Sequence, residues 1–332
     1  MTAQKQYNYC LDWIKGIACI FVVFMHCEFP GMTGVAVQAI SRFCVPFFFM
    51  VSGYYCYKTE PTPLSERKRK AKHLLKITIY SSLFYILFAV VQHLIWNDVS
   101  LSFTVRDIIE FLFFNQMTVI VSQMWFLYAL LYVYIVYMWL GGKEWYKRYS
   151  LIITTVCLVL YVVLAQGLHV AGISVPNYVY KNWLIEGLGF FTLGFILHQY
   201  QDRIKVGNAV LLATVFVFTI LSLAERYLLG RDFGVNICSI PQVTALFLYG
   251  INNPTRHEGV LQKLGKTCSM FVYILHPFVW HSLERVYSAM HIENNSIALY
   301  LLPLLVLGIT ILLSLFCNNA KLRLNKQPVR YA

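Results

Sequence analysis

Charge is what this sequence has least of. Asp, Glu, Lys and Arg together make up 13% of its 332 residues, against about 25% in ordinary soluble domains. With 58% hydrophobic residues and a mean hydropathy of +0.60, a soluble globular class is excluded. Linkers, low-complexity tracts and internal repeats are also missing, so the chain reads as one domain over residues 1–332. No CxxC pair occurs, and the nine cysteines, an odd number, are scattered mostly through apolar runs. That pattern is neither a disulfide framework nor a zinc site, and most of these thiols are expected to act as small buried hydrophobes. H-E-x-x-H, P-loop, dinucleotide glycine and G-x-S-x-G motifs are all absent. "HIENN" and "RHEG" bring His near Glu at the wrong spacing, so metal binding is not expected. No Ser-His-Asp arrangement stands out.

What the sequence does have is long apolar runs. A membrane-crossing helix needs about 20 mostly apolar residues. Ten stretches qualify: 12–30, 38–57, 74–96, 120–140, 149–166, 182–199, 206–224, 234–250, 267–288 and 296–316. An all-α, polytopic membrane protein of about ten helices is therefore expected. The aromatic content of 16% suits many membrane interfaces. The first run has a weakly basic start and no small-x-small site after it, so it reads as a retained helix rather than a signal peptide.

The net charge of +12 is distributed as membrane topology, not as a nucleic-acid-binding stripe. With the N-terminus inside, all but six of the 27 Lys and Arg (Arg42, Arg106, Lys181, Arg226, Arg231 and Arg285) fall on the cytoplasmic side, which is 21 of 27. The positive-inside rule then predicts N-in and C-in. Between the third and fourth helices, "SFTVRDIIEFLFFNQMT" puts apolar residues on one face and Arg106, Asp107 and Glu110 on another. An interfacial or re-entrant element is expected there, on the outer side.

Ionisable groups persist inside a bilayer mainly where they face a cavity. In "DWIKGIACIFVVFMHCEFPG", Lys15 and His26 stand eleven residues apart, about 16 Å at ~1.5 Å per residue. Three turns of ~3.6 residues make nearly eleven, so both side chains lie on one face. One helix face thus links the cytoplasmic boundary to an imidazole past mid-membrane. A snorkelling lysine and a packing histidine would show the same pattern. In "SRFCVPFFFMVSGYYCY", Arg42 stands at the outer end of the second helix. Pro46, Ser52, Gly53 and Tyr54 follow, suited to a kink or to close helix packing. "ERKRKAKHLLK" holds six Lys or Arg in eleven positions at the mouth of the third helix. Anionic lipid or a phosphate-bearing ligand would suit it. Trp125, Glu186 and His276 are further polar residues in or near the apolar runs. Trp125 also suits an interfacial belt, Glu186 the interface and His276 simple packing.

"LDWIKGIACIFVVFMH", "RFCVPFFFMVSGYY", the basic opening of the third helix, "MWFLYALL" and "YILHP", in that order, resemble the acyltransferase 3 family of integral membrane proteins. The resemblance covers nearly the whole chain. It implies transfer of an acyl group, usually acetyl, from cytoplasmic acetyl-CoA to a hydroxyl of an envelope glycan or related acceptor, in the bacterial cytoplasmic membrane. Membrane lipids and the glycan or lipid-linked sugar are the implied partners, with no nucleic acid and no metal. The family's helix 1 basic residue and His match Lys15 and His26, and its Arg before the SGY run matches Arg42. The helix 3 basic motif falls within Arg67 to Lys76, and Arg67, Arg69, Lys72 and Lys76 together with Lys15 are the donor-binding candidates. Lys at 15 keeps the charge of the commoner Arg but not its planar fork. The chain ends soon after the tenth run, so the hydrolase-like domain appended in some relatives is not expected.

On this reading the nucleotide end of acetyl-CoA docks at the basic mouth, and its thin arm runs up inside the bundle toward His26. His26 then serves as general base, or carries the acyl group itself. Arg42, Ser52, Tyr54, Trp125, Glu186 and His276 are candidates for the acceptor or oxyanion site. The rival is a transporter or exporter without acyl-transfer chemistry, which ten helices with midplane polar groups also suit.

Overall fold

The computed structural model describes residues 8–96, 104–116, 121–254 and 259–326, and among them the secondary structure is helical with no strand. In chain order the helices are α1 (Tyr9–His26), α2 (Gly31–Ser41), α3 (Cys44–Tyr54), α4 (Leu64–Trp96), α5 (Val105–Phe114), α6 (Trp125–Leu140), α7 (Glu144–Val162), α8 (Leu168–Val170), α9 (Leu188–Gln199), α10 (Asn208–Leu229), α11 (Ser239–Asn252), α12 (Val260–Lys263), α13 (Ser269–Ala289) and α14 (Ser296–Lys326). Three π-turns interrupt or open helices: Val163–Gly167, Trp183–Gly187 and Leu264–Cys268.

Among the described residues, seven helical stretches are long and apolar enough to cross a membrane: Tyr9–His26, Gly31–Tyr54, Leu64–Trp96, Ser122–Leu140, Glu144–Val170, Asn208–Leu229 and Ser296–Arg323. The other three predicted runs are also helical but fall short by this measure. The run at 182–199 is split between a π-turn and α9, a helix of 12 residues. α11 has 14 residues, and α13 carries His276, His281, Glu284 and Arg285. Outward-facing Leu83, Leu94, Ile152, Val159, Phe216 and Leu312 are exposed, as expected of a surface solvated by hydrocarbon rather than water.

Two runs differ in detail from expectation. The 38–57 run begins earlier, at Gly31 in the left-handed region (φ +63), and is broken at Arg42–Phe43 between α2 and α3. The third helix starts at Leu64 rather than 74. Hydropathy sees only its apolar part, whereas Lys and Arg are good helix formers and extend it back to Pro63. Its 33 residues reach about 50 Å, well beyond a ~30 Å hydrocarbon layer. The first dozen or so, the basic ones, therefore project past it. Residues 102–103 and 117–118 of the outer amphipathic stretch, and 255–258 and 327–332 of the expected cytoplasmic segments, lie outside the described residues.

The chain forms two compact units. One comprises Met1–Cys44, Gly207–Gly230 and Cys238–Ala332; the other Val45–Val206 and Arg231–Ile237. In the first, α1 is central and packs against α2, α11, α12, α13 and α14. Asn8 caps α1: its Oδ1 accepts from Leu11 N at 3.0 Å while its Nδ2 donates to Gly250 O at 2.8 Å, tying the helix to α11. A Cβ on Gly16 would collide with the Leu261 carbonyl, and one on Gly265 with the Asp12 carbonyl. Backbone therefore meets backbone where α1 crosses the α12–α13 segment, which only glycine permits.

In the second unit, α3 and α9 also cross backbone to backbone, at Gly53 on Phe191 O and Gly194 on Met50 O. Cys56, Val133, Tyr137, Tyr146, Phe191 and Phe195 form a core beside this crossing. The Tyr161 hydroxyl donates to Phe233 O (2.6 Å) and accepts from Val235 N (2.9 Å), holding the 231–237 segment on α7. α5 begins with a Thr104/Asp107 capping box. Its Asp107 is buried while Val105, Ile109, Leu112 and Phe113 are exposed. That is the arrangement of a helix lying in a membrane interface.

Candidate functional site

In the first unit, α1 carries both sequence candidates, Lys15 and His26. The Lys15 Nζ lies 3.1 Å from Asp12 Oδ1, with the lysine side chain 16% exposed and the carboxylate 5%. Asp12 is thus the partner of Lys15 rather than an orienting group for His26. A pair so withdrawn from water holds because the Coulomb attraction and hydrogen bond offset desolvation. One turn on, Cys19 is buried. At the other end of the helix, Cys27 N–H donates to Val23 O at 2.9 Å and α1 stops after His26.

The neighbour of His26 comes from α13. The rings of His26 and His276 stack with centroids 5.2 Å apart and planes at 26°. The geometry has a simple register. A Cβ built on Gly265 lies 2.9 Å from Lys15 Cβ, and His276 lies on His26. Both pairs of positions are separated by eleven residues along their own helices, so the two segments run parallel from the ion pair to the imidazole pair. Nδ1 of His276 is 3.1 Å from Val272 O. A carbonyl can only accept, so Nδ1 carries the hydrogen and Nε2 holds the lone pair of the neutral ring. His276 is 1% exposed, and its Nε2 has no hydrogen-bond partner among the described residues. Pro277 follows it inside the helix and removes one backbone donor from the local ladder.

Arg42 is 5% exposed at the C-cap of α2. The next residue, Phe43, meets Phe21 of α1 edge-on at 6.0 Å, at a level between Lys15 and His26 but off the helix face they share.

The remaining candidates lie in the second unit. Ser52 donates to its own helix, at Phe48 O (2.9 Å). The Tyr54 hydroxyl donates to Gln201 Oε1 (2.8 Å), and its ring stacks on His198 at 4.2 Å. Trp125 opens α6 with the Lys181 ammonium 4.8 Å above its ring, a cation–π contact. Glu186 sits in the π-turn Trp183–Gly187, 1% exposed.

The basic stretch of α4 divides into two faces. Arg67 is buried and turned inward, its Nε donating to Thr62 O (3.0 Å) and its Nη1 to Met138 O. Gly142 leaves the space that its guanidinium fills. Arg69, Lys72 and Lys76 are on the outward face, where with Ser65, Lys68 and His73 they line an open cleft of about 540 Å³. This concentrated positive face, projecting beyond the apolar part of the helix, is suited to phosphate. No group of three or more His, Cys, Asp or Glu is gathered for a metal among the described residues.

Sequence reasoning singled out Lys15, His26 and the cationic face. It did not find the contact of His26 with His276, which joins residues 250 positions apart, nor the π-turn at Leu264–Cys268. The i,i+3 spacing of Asp12 and Lys15 was the one legible signal of the ion pair.

A family model described as "Acyltransferase domain" (Acyl_transf_3) matches residues 8–318, nearly the whole chain. No curated protein and no solved structure matches significantly.

Proposed function

We propose a reaction for this chain from one premise: it belongs to the acyltransferase 3 family and is a membrane acyltransferase. The donor is acetyl-CoA on the cytoplasmic side, and the acceptor is a hydroxyl of an envelope glycan or related molecule. The observation that carries this reading is the stacked His26–His276 pair at one end of the register and the Lys15–Asp12 pair, with its carboxylate buried, at the other.

In this reaction His26 takes the proton from the acceptor hydroxyl as its oxygen attacks the thioester carbonyl. The carbon–sulfur bond then breaks, and the imidazolium returns the proton to the departing thiolate. His276 stays neutral beside it, its Nδ1–H committed to Val272 and its Nε2 available as an acceptor. The stack fixes the His26 ring. Arg69, Lys72 and Lys76 hold the donor's phosphates, and Lys15 adds positive charge on the cytoplasmic half of α1. Arg67, committed to two backbone carbonyls, contributes to the shape of that region rather than to ligand charge.

The test is transfer of labelled acetyl from acetyl-CoA by purified protein in vesicles. His26→Ala is expected to lower transfer at least about 100-fold, the usual size of a general-base effect, with insertion and thermal unfolding unchanged. Full transfer by that variant sinks the assignment. Wild-type protein that moves a solute and transfers no label is a transporter instead. Mass spectrometry of envelope glycans with and without the protein then identifies the acceptor by a gain of acetyl mass.

A further inference from the structure

Buried carboxamides in this protein have partners. Asn115 donates to Trp125 O and accepts from Trp183 N. Asn182 donates to Tyr178 O and Val179 O and accepts from Leu184 N and Ile185 N. Gln38 donates to Glu28, and Gln242 donates to Thr219, although its Oε1 has no partner among the described residues. Gln262 is different. It is 1% exposed, and neither its Nε2 nor its Oε1 has a partner among the described residues. Leaving both ends of a buried amide unpaired is costly. A side chain held this way is matched to something that enters.

Its position narrows what enters. Gln262 lies on α12, which packs on α1. The carbonyl of the preceding residue, Leu261, is pressed against Gly16, next to Lys15. Two residues after it the π-turn Leu264–Cys268 begins, and Gly265 of that turn lies on Asp12 and Lys15. Gln262 therefore sits at the Lys15–Asp12 end of the register that leads to His26 and His276. A carboxamide offers one acceptor and two donors on a short planar group. Its complement is a secondary amide, which presents N–H to Oε1 and C=O to Nε2. Among the parts of a coenzyme A thioester, only the thin arm between nucleotide and sulfur carries secondary amides.

We infer that Gln262 is a specificity-determining residue that binds an amide of the acyl donor's arm. The inference rests on the acetyl-CoA reading above and adds to it the group that recognises the arm. It makes Gln262 a donor-binding residue with no part in proton transfer.

The experiment uses full-length protein in vesicles and two variants, Gln262→Met and Gln262→Leu. Met keeps the unbranched shape, so one variant survives if the other packs badly. Both exchange an unpaired buried amide for an apolar group and are expected to unfold no earlier than wild type. Binding of desulfo-coenzyme A, which cannot react, is expected to weaken about tenfold or more. KM for acetyl-CoA rises to match, with kcat within about twofold. Transfer from S-acetyl-2-mercaptoethanol, a thioester without amides, is expected to stay the same in wild type and variants. Unchanged desulfo-coenzyme A binding in both folded variants overturns the assignment while leaving the donor in place. An equal loss with the amide-free thioester also overturns it. A wild-type protein that neither binds desulfo-coenzyme A nor uses acetyl-CoA removes the donor, and this inference with it.

Discussion

At the scale of single residues, the Lys15–Asp12 pair shows how a charge is kept in an apolar helix. Neither group is fully in water, so each depends on the other. Asp12→Ala should cost about 3–5 kcal/mol, because it strands the ammonium in a desolvated place. The double variant Asp12→Ala/Lys15→Met should recover most of that loss, since no unpaired charge remains. Denaturant unfolding in detergent measures both, and a double variant as unstable as the single one would show that the pair is not coupled. The i,i+3 spacing of the pair was the signal in the sequence from which it could have been read. The sequence also showed that Lys15 and His26 share a face, because eleven residues close three turns. It could not show that His276 meets His26. Two rings 250 residues apart come together only through helix packing, and nothing in the local sequence encodes which side of α13 faces α1.

At the scale of elements, α4 shows one basic run serving two purposes. Its buried positions, Arg67, Ala71, Leu74, Thr78, Ser81 and Tyr85, recur every three or four residues, the spacing of one helix face. Arg67 falls on that face and bonds backbone carbonyls, while Arg69, Lys72 and Lys76 fall off it and stay exposed. Arg67→Ala should lower stability by about 1–3 kcal/mol, from carbonyls left unpaired. Replacing Arg69, Lys72 and Lys76 together by Gln should leave thermal unfolding unchanged and weaken coenzyme A binding about tenfold or more. Equal loss of stability in both variants would remove the distinction between the faces. Composition revealed the cluster, but only the helical phase, carried back to Leu64, sorts its members. A hydropathy boundary at 74 hides that phase, because it treats the charged turns as loop.

At the scale of the whole molecule, low charge and long apolar runs already place the chain in a membrane, and the distribution of Lys and Arg predicts an N-in, C-in orientation. That orientation is directly testable. Cysteines introduced at Lys143 and Arg203 should be protected from an impermeant maleimide in intact cells, whereas one introduced at Arg106 should be labelled. The measurement is made in a background where the native cysteines are replaced. Labelling of the first two and protection of the third would invert the topology, and with it the cytoplasmic origin of the donor.

By itself the sequence determined the medium, the helical class, seven of the ten expected spans and the shared face of Lys15 and His26. These follow from local quantities, namely apolar content, run length and the helical period. The tertiary structure alone decided which faces meet. It paired His26 with His276, set Gly265 on Asp12 and Lys15, turned Arg67 inward, and left Gln262 buried with neither amide end partnered among the described residues. The physical reason is that helix pairing depends on how side chains of distant segments fill one another's space, as where Gly16 and Gly265 let two backbones touch. No stretch of the chain carries that information alone.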